Sequence, residues 1–437
     1  MLIKNCNLIS MAEGREKYES DVDILIENGK ISQIGKNLKT PKGAEVINAD
    51  GKIVMPGLIN THAHIPMSIF RETLDGYTLQ DWLNKKIWPM EDRLTADDIY
   101  LASLLSFVEM VSTGTVMAND QYFLSENTIK AALDVGARLM MTRTVFDVTK
   151  NADEMLAELE ELIKKYKDKY ETIYPNVGIH GFYTTGSETV QKCVALAKKY
   201  DVPVHVHFCE NTQEVVDIKN NYKVESPVEV LEKYCGDVHT ILAHAVKLSE
   251  AEIERLAKLD VAVAHNPVSN LRLACGVAKV QSMMDKGINV ALGTDGQGSG
   301  SSMDLFEQMK FAALLQKGEF ENAGYMESYD VLKMATINGA KALGVADEIG
   351  SIEEGKAADM IMVDLDSVCC QPTGNVFSDL VYNAKGSNVC MTMINGKVVM
   401  RDGKVMMRSG KAGDGGVREI DKELLYKKCA EIIKRIS

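Results

Sequence analysis

Short apolar runs recur through the middle of the chain, at 57–64, 115–119, 138–145, 177–183, 204–208, 240–245, 261–265 and 290–293. Between most of them lie stretches with apolar residues at helical spacing, such as 152–166, 187–199 and 249–258. Compact apolar runs alternating with amphipathic helices predict βα units, and eight of them predict an α/β protein built on a closed parallel (β/α)8 TIM-type barrel. The connection after the first strand is the longest; it carries Trp82, Trp88 and Glu91 ahead of a helix at 97–111. A long loop there can cover a pocket. The two ends of the chain read differently. Ile24-Leu25-Ile26, a turn through Asn28-Gly29, and Ile31 to Ile34 make a hairpin signal, and Met393-Ile394, Asn395-Gly396 and Val398-Val399 repeat it. Residues 1–55 and 346–437 are therefore expected to pair into one small β-sandwich domain around a barrel of residues 56–345, with a terminal helix at 422–436. The run Ile53-Val54-Met55, continued by Leu58-Ile59, is expected to be one buried strand.

Composition narrows the class. The 437 residues are 46% hydrophobic and 25% charged, which suits a soluble globular protein with a large core. No apolar run approaches the roughly 20 residues of a membrane-spanning helix, and Met1-Leu2-Ile3-Lys4 starts a strand pattern instead of a signal peptide. Nine cysteines, none in a Cys-x-x-Cys pair, read as free thiols in a reducing cytoplasm, with Cys369-Cys370 packing rather than doing redox chemistry. A net charge of −13 argues against non-specific binding to nucleic acid or an anionic membrane.

Barrels of this kind place their chemistry at the carboxyl ends of the strands. The first strand ends in His62 and His64, the fourth in His180, and the fifth in His205 and His207 with Glu210 just beyond. The sixth ends in His244, the seventh in His265 and the eighth in Asp295, so seven of the eight histidines sort to these ends and only His239 does not. Three imidazoles and a carboxylate suit a catalytic divalent metal, Zn²⁺ first, whose bound water has a pKa near about 7. Glu210 and His244 are then placed to handle protons, and Asp295 to touch the metal and accept a proton from water. His205 is expected one layer deeper, as a buried hydrogen-bonded residue. His265 either orients Asp295 or belongs to the loop, and Ser299 either touches substrate or shapes the turn. Trp82 and Trp88 are either loop packing or a pocket wall, and His239 is expected at the surface. Binuclear sites of this barrel type use a lysine on a middle strand; neither 139–145 nor 177–183 contains one, so a single metal is expected.

The motifs Pro56-Gly57-Leu58-Ile59-Asn60-Thr61-His62-Ala63-His64, Pro89-Met90-Glu91-Asp92-Arg93-Leu94-Thr95 and His207-Phe208-Cys209-Glu210 resemble those of the amidohydrolase superfamily. So do Ala243-His244, His265-Asn266-Pro267-Val268-Ser269-Asn270 and Leu292-Gly293-Thr294-Asp295-Gly296, and the likeness runs along essentially the whole chain. Within the superfamily the chain most resembles the 5-methylthioadenosine/S-adenosylhomocysteine deaminases. That resemblance implies ligands His62, His64, His207 and Asp295, with Glu210 protonating the purine ring and His244 orienting the attacking hydroxide. It implies Glu91 on the ribose hydroxyls, His180 on the base and Arg143 toward the far end of the substrate. The expected partners are a purine nucleoside and further copies of the chain. Some relatives carry a second arginine about twelve positions beyond Arg143, where this chain has Met155 with Lys150 nearby. S-adenosylhomocysteine is therefore expected to be a poorer substrate than 5-methylthioadenosine, 5′-deoxyadenosine or adenosine. The rival expectations are a guanine, pterin or triazine hydrolase and a non-catalytic scaffold relative.

Overall fold

The computed structural model describes residues 1–71, 73–148, 151–408 and 416–437. Its centre is a ring of parallel strands: β1 (Leu58–Ala63), β2 (Thr115–Tyr122), β3 (Arg138–Arg143), β4 (Val177–Gly181), β5 (Val204–Phe208), β6 (Thr240–His244), β7 (Val261–His265) and β8 (Asn289–Leu292). Every residue of β1, β2, β5 and β6 is buried, as a strand covered on both faces requires. β1 to β3 form one parallel sheet and β4 to β8 another. The short segment Ile173–Pro175 ahead of β4 pairs with β3. Hydrogen bonds outside the ladders close both seams. The Val145 amide donates to Gly178 O at 2.9 Å and the His180 amide to Val145 O at 3.0 Å, while the Thr294 and Asp295 amides donate to His62 O at 3.1 and 3.0 Å.

Local sequence explains the helices that pack outside the ring. Ala96–Ser112 begins with a reciprocal cap between Thr95 and Asp98, and Asn151 caps Ala152–Tyr166 by accepting from the Asp153 amide. The chain ends meet in a ten-stranded sheet, where Ile53–Pro56 pairs parallel with Leu2–Leu8 and antiparallel with Met360–Val363. Asn28 (φ 52°) and Gly29 (φ 79°) make the predicted hairpin turn, both residues left-handed as a tight two-residue loop needs. Ile3, Ile24, Val54, Met360 and Met393 belong to a core of this sheet's own.

The run from Ile53 to Ile59 is not one strand. It breaks at Gly57, with Ile53–Pro56 in the terminal sheet and β1 in the barrel. The Gly57 amide donates to Asp359 O at 3.1 Å on one side, and the Leu58 amide to Gly114 O at 2.9 Å on the other. A Cβ on Gly57 would lie 2.2 Å from Val116 Cγ1, so only glycine passes between the two layers. Hydrophobicity cannot mark this crossing, because both flanks are buried.

Candidate active site

The carboxyl ends of β1, β5 and β8 bring four of the expected residues to one point. Ligating atoms of His62, His64 and His207 lie within 4.8 Å of one another, as do those of His62, His244 and Asp295. Nε2 of His64 is 3.3 Å from Nε2 of His207 and 3.2 Å from Asp295 Oδ1, which is itself 3.6 Å from His62 Nε2. Tetrahedral zinc with bonds of about 2.0–2.1 Å separates neighbouring ligand atoms by about 3.3–3.4 Å, close to this spacing.

The opposite ring nitrogens decide what those atoms can do. His64 Nδ1 lies 2.6 Å from Gln121 O and His207 Nδ1 2.5 Å from His180 O. A carbonyl only accepts, so both Nδ1 atoms carry the proton and donate it. In the neutral rings both Nε2 atoms therefore present bare lone pairs, facing each other and a carboxylate oxygen. His62 Nε2 is buried with no hydrogen-bond partner among the described residues, while its Nδ1 is 2.9 Å from His205 Nε2. Acceptor atoms packed this closely need a positive charge between them. A divalent cation supplies it, so the donor set fits the metal.

Burial drives the ionisation of these groups. It depresses the His62 imidazolium to about 3 and holds His207 well below the usual histidine range, which keeps both rings neutral. Burial also works against charge on His64, but the Asp295 carboxylate outweighs it and raises the group to about 9, so without a cation a proton occupies the place between His64 Nε2 and Asp295 that a metal would take. Asp295 stays ionised because the facing imidazoles of His62 and His64 outweigh its own burial. Its other oxygen accepts from Ser269 Oγ at 2.5 Å and Ser299 Oγ at 3.0 Å.

Beside this set lie two proton-handling groups. His244 Nδ1 is 2.8 Å from Asn270 Oδ1 and 3.9 Å from Glu210 Oε1. With Nδ1–H donating to Asn270, its Nε2 is free to accept. Burial raises the Glu210 carboxyl above its ordinary value, which favours the acid form. His180, 5.1 Å from the His207 ring, is depressed to about 4 by burial and stays neutral, its Nδ1 2.9 Å from Thr184 Oγ1. Three residues of the rim, Cys209 (φ 52°), His244 (φ 76°) and Asp295 (φ 60°), adopt left-handed backbone, a conformation that clusters at functional sites.

The remaining expected residues divide. Glu91 accepts a hydrogen bond from Tyr122, whose ring centre is 6.4 Å from that of His64. Arg143 is not brought to the cluster; its Nε donates to Glu158 at 2.7 Å, on the outer helix Ala152–Tyr166, and its Nη1 to Thr144 O. Met155 is buried in that helix, and Lys150 lies outside the described residues. His205 is fully buried and joins His62 to Asn119, whose amide is 3.3 Å from His205 Nδ1. His265 is buried with neither ring nitrogen hydrogen-bonded among the described residues. Trp82 is buried and donates to Thr73, whereas Trp88 is 40% exposed. His239 bridges Asp260 and Ala342 O away from the mouth. Sequence reasoning assigned no role to Ser269, Asn270 or the Gln121 carbonyl. For the first two the signal was present in the polar spacing of His265-Asn266-Pro267-Val268-Ser269-Asn270; a backbone carbonyl leaves none.

A (β/α)8 barrel whose mouth gathers three imidazoles and a carboxylate beside an acid and a further imidazole defines the class of metal-dependent hydrolases. The sequence pattern of the amidohydrolase family matches residues 53–399, and the chain belongs to that family. It is 41% identical to a 5-methylthioadenosine/S-adenosylhomocysteine deaminase of Caldanaerobacter subterraneus subsp. tengcongensis, over 92% of this chain and 93% of that one. It is 38% identical to a 5′-deoxyadenosine deaminase of Methanocaldococcus jannaschii, over 94% and 95% of the two chains. Among solved structures, an adenosine deaminase from Xanthomonas campestris with bound zinc superposes with a TM-score of 0.92 at 30% identity, covering 100% of this chain and 98% of that one. No helix among the described residues is long and apolar enough to cross a membrane.

Proposed function

We propose that this chain is a zinc-dependent hydrolytic deaminase of adenine nucleosides, releasing ammonia and the inosine analogue. The observation that carries it is the meeting of lone pairs at the barrel mouth, with an acid and an imidazole within reach. His62, His64, His207 and Asp295 would hold the cation, which when bound lowers the pKa of a water to about 7. Asp295 accepts the proton of the attacking water. His244, its Nδ1 tied to Asn270, presents Nε2 to orient that water toward C6 of the purine. Glu210, whose acid form burial favours, donates to a ring nitrogen as the amidine carbon becomes tetrahedral; Asp295 then delivers the proton taken from water to the leaving ammonia, and the hydroxyl proton of that carbon returns to Glu210 as the product carbonyl forms. Neutral His180 is suited to hydrogen-bond the base, and Glu91, oriented by Tyr122, to accept from the ribose hydroxyls.

The 5′ end is open in chemical identity: 5-methylthioadenosine, 5′-deoxyadenosine, adenosine and S-adenosylhomocysteine share the reacting ring. Arg143 is paired to Glu158 and Met155 is buried, so neither of these two positions offers a cation to an amino-acid carboxylate. The test is an absorbance assay of these four nucleosides beside adenine and guanine. Turnover of the nucleosides, with S-adenosylhomocysteine giving the lowest kcat/KM of the four, is expected. Turnover of the free bases alone would overturn the nucleoside reading, and preference for S-adenosylhomocysteine would overturn the order.

A further inference from the structure

Glu214 stands outside the converging set, in the first turn of the helix Thr212–Tyr222, where its amide donates to the N-cap Asn211. A carboxylate at this third helical position ordinarily reaches back to the amide of the capping residue. In this chain Asp98 does so for Thr95, and Glu252 for Ser249. Glu214 reaches further. Its Oε1 accepts from the Cys209 amide and its Oε2 from the Glu210 amide, both at 2.7 Å. These amides lie upstream of the cap, on the turn that leaves β5. Cys209 holds a left-handed φ of 52° there, a conformation that is unfavourable for a non-glycine residue. Glu214 is only 2% exposed, and burying a carboxylate is costly unless its bonds are strong. Capping this helix would not by itself require that burial, since a side chain at the surface serves as well.

What the two bonds fix is the direction in which Glu210 leaves the backbone. Its amide is held on one side by Glu214, and its carboxylate lies 3.9 Å from His244 Nδ1 and accepts weakly from Cys275 Sγ at 3.8 Å on the other. The Cys209 carbonyl is tied as well, accepting from the Val246 and Lys247 amides at 3.0 and 2.8 Å, so the turn has no slack. We infer that Glu214 is a positioning residue for the reaction: it clamps the Cys209–Glu210 turn so that the Glu210 carboxyl meets the substrate ring. The role rests on the reading of Glu210 as the acid. A glutamine at 214 keeps one accepting oxygen and turns an N–H₂ toward the other amide, and an aspartate is one methylene too short to span both.

The experiment measures kcat, KM for adenosine, zinc content and Tm for zinc-loaded E214Q, E214D, E210Q and the E210Q/E214Q double variant. E214Q and E214D are expected to lose about tenfold or more in kcat, with KM within about threefold and a full complement of zinc. Because Glu214 acts through Glu210, E214Q should cost less than about threefold once Glu210 is already glutamine. Equal losses in both backgrounds, or kcat within about twofold of the parent in E214Q and E214D, would overturn the role. If E210Q alone keeps its kcat, the acid reading of Glu210 falls, and the clamp with it.

Discussion

Asp295 answers three demands at once, and each can be removed separately. One oxygen faces the imidazoles of His62 and His64, the other is held by Ser269 and Ser299, and the charge is the only one in the set able to take a proton from water. D295N should lower kcat by about a thousandfold or more, because an amide can neither accept that proton nor balance the cation. Ser299→Ala removes a single bond and should cost far less. Glu210 makes a pH statement. Burial lifts its carboxyl pKa, and with Glu210 as the acid of the proposed reaction kcat/KM should fall as pH rises through that elevated value. E210Q should lose that limb along with most of its kcat while keeping its metal; a pH profile beside zinc analysis checks both. His205 acts one layer down: H205A deprives His62 Nδ1 of its partner and should weaken zinc affinity about 10–100-fold, read by competition with a chelator. The residues that converge were legible because period-2 geometry and strand ends placed them. Arg143 shows the limit. Its position at the end of β3 is readable from sequence, but the choice between the pocket and Glu158 is a rotamer choice made by a helix that follows it in the chain.

The elements show how a site assembled from distant strands stays in register. β3 begins at Arg138, only 2% exposed, whose guanidinium donates to Asp359 Oδ2 at 2.6 Å and Oδ1 at 3.2 Å, just ahead of the terminal-sheet strand Met360–Val363. Asp359 also accepts from the Asn395 amide, so one carboxylate ties the barrel to the hairpin that follows Met360–Val363. D359A takes from the buried guanidinium its buried carboxylate, leaving Glu348 at 3.8 Å with the Glu171 carbonyl and the Tyr174 hydroxyl, and should cost about 3 kcal/mol of stability, seen as a lower denaturation midpoint with kcat little changed at low temperature. Replacing both partners by apolar residues of similar volume should cost much less. Gly57 is the other joint. Its alanine would force Val116 aside and should destabilise by about 1–3 kcal/mol, since the close contact is with the body of the side chain. Helix 152–166 was predicted with the bounds it has, because its apolar period and its Asn151 cap are local. The break at Gly57 was not, because it depends on which sheet each half pairs with.

For the molecule as a whole, the cation would act as a clasp as well as a reagent. Its candidate ligands sit at the ends of β1, β5 and β8, and β1 and β8 meet at the seam that closes the ring. Chelation should therefore abolish turnover and also lower Tm, with both restored by added zinc. Holding a metal at a thousandfold over its Kd is worth about 4 kcal/mol to the folded state. Loss of activity with an unchanged Tm would mean that the ring holds its shape without the cation. By itself the sequence determined the alternation that makes a barrel, the β-rich ends, and the carboxyl-end positions of His62, His64, His207, His244 and Asp295, because strand period, helix period and turn chemistry act over a few residues. Only the tertiary structure decided which nitrogen of each histidine faces the centre, that Asp295 is held by two serines, that Arg143 turns away, and that Glu214 grips the turn beneath Glu210. Those outcomes depend on groups brought together from strands and loops far apart in the chain, and no local pattern encodes the direction in which a side chain finds its partner.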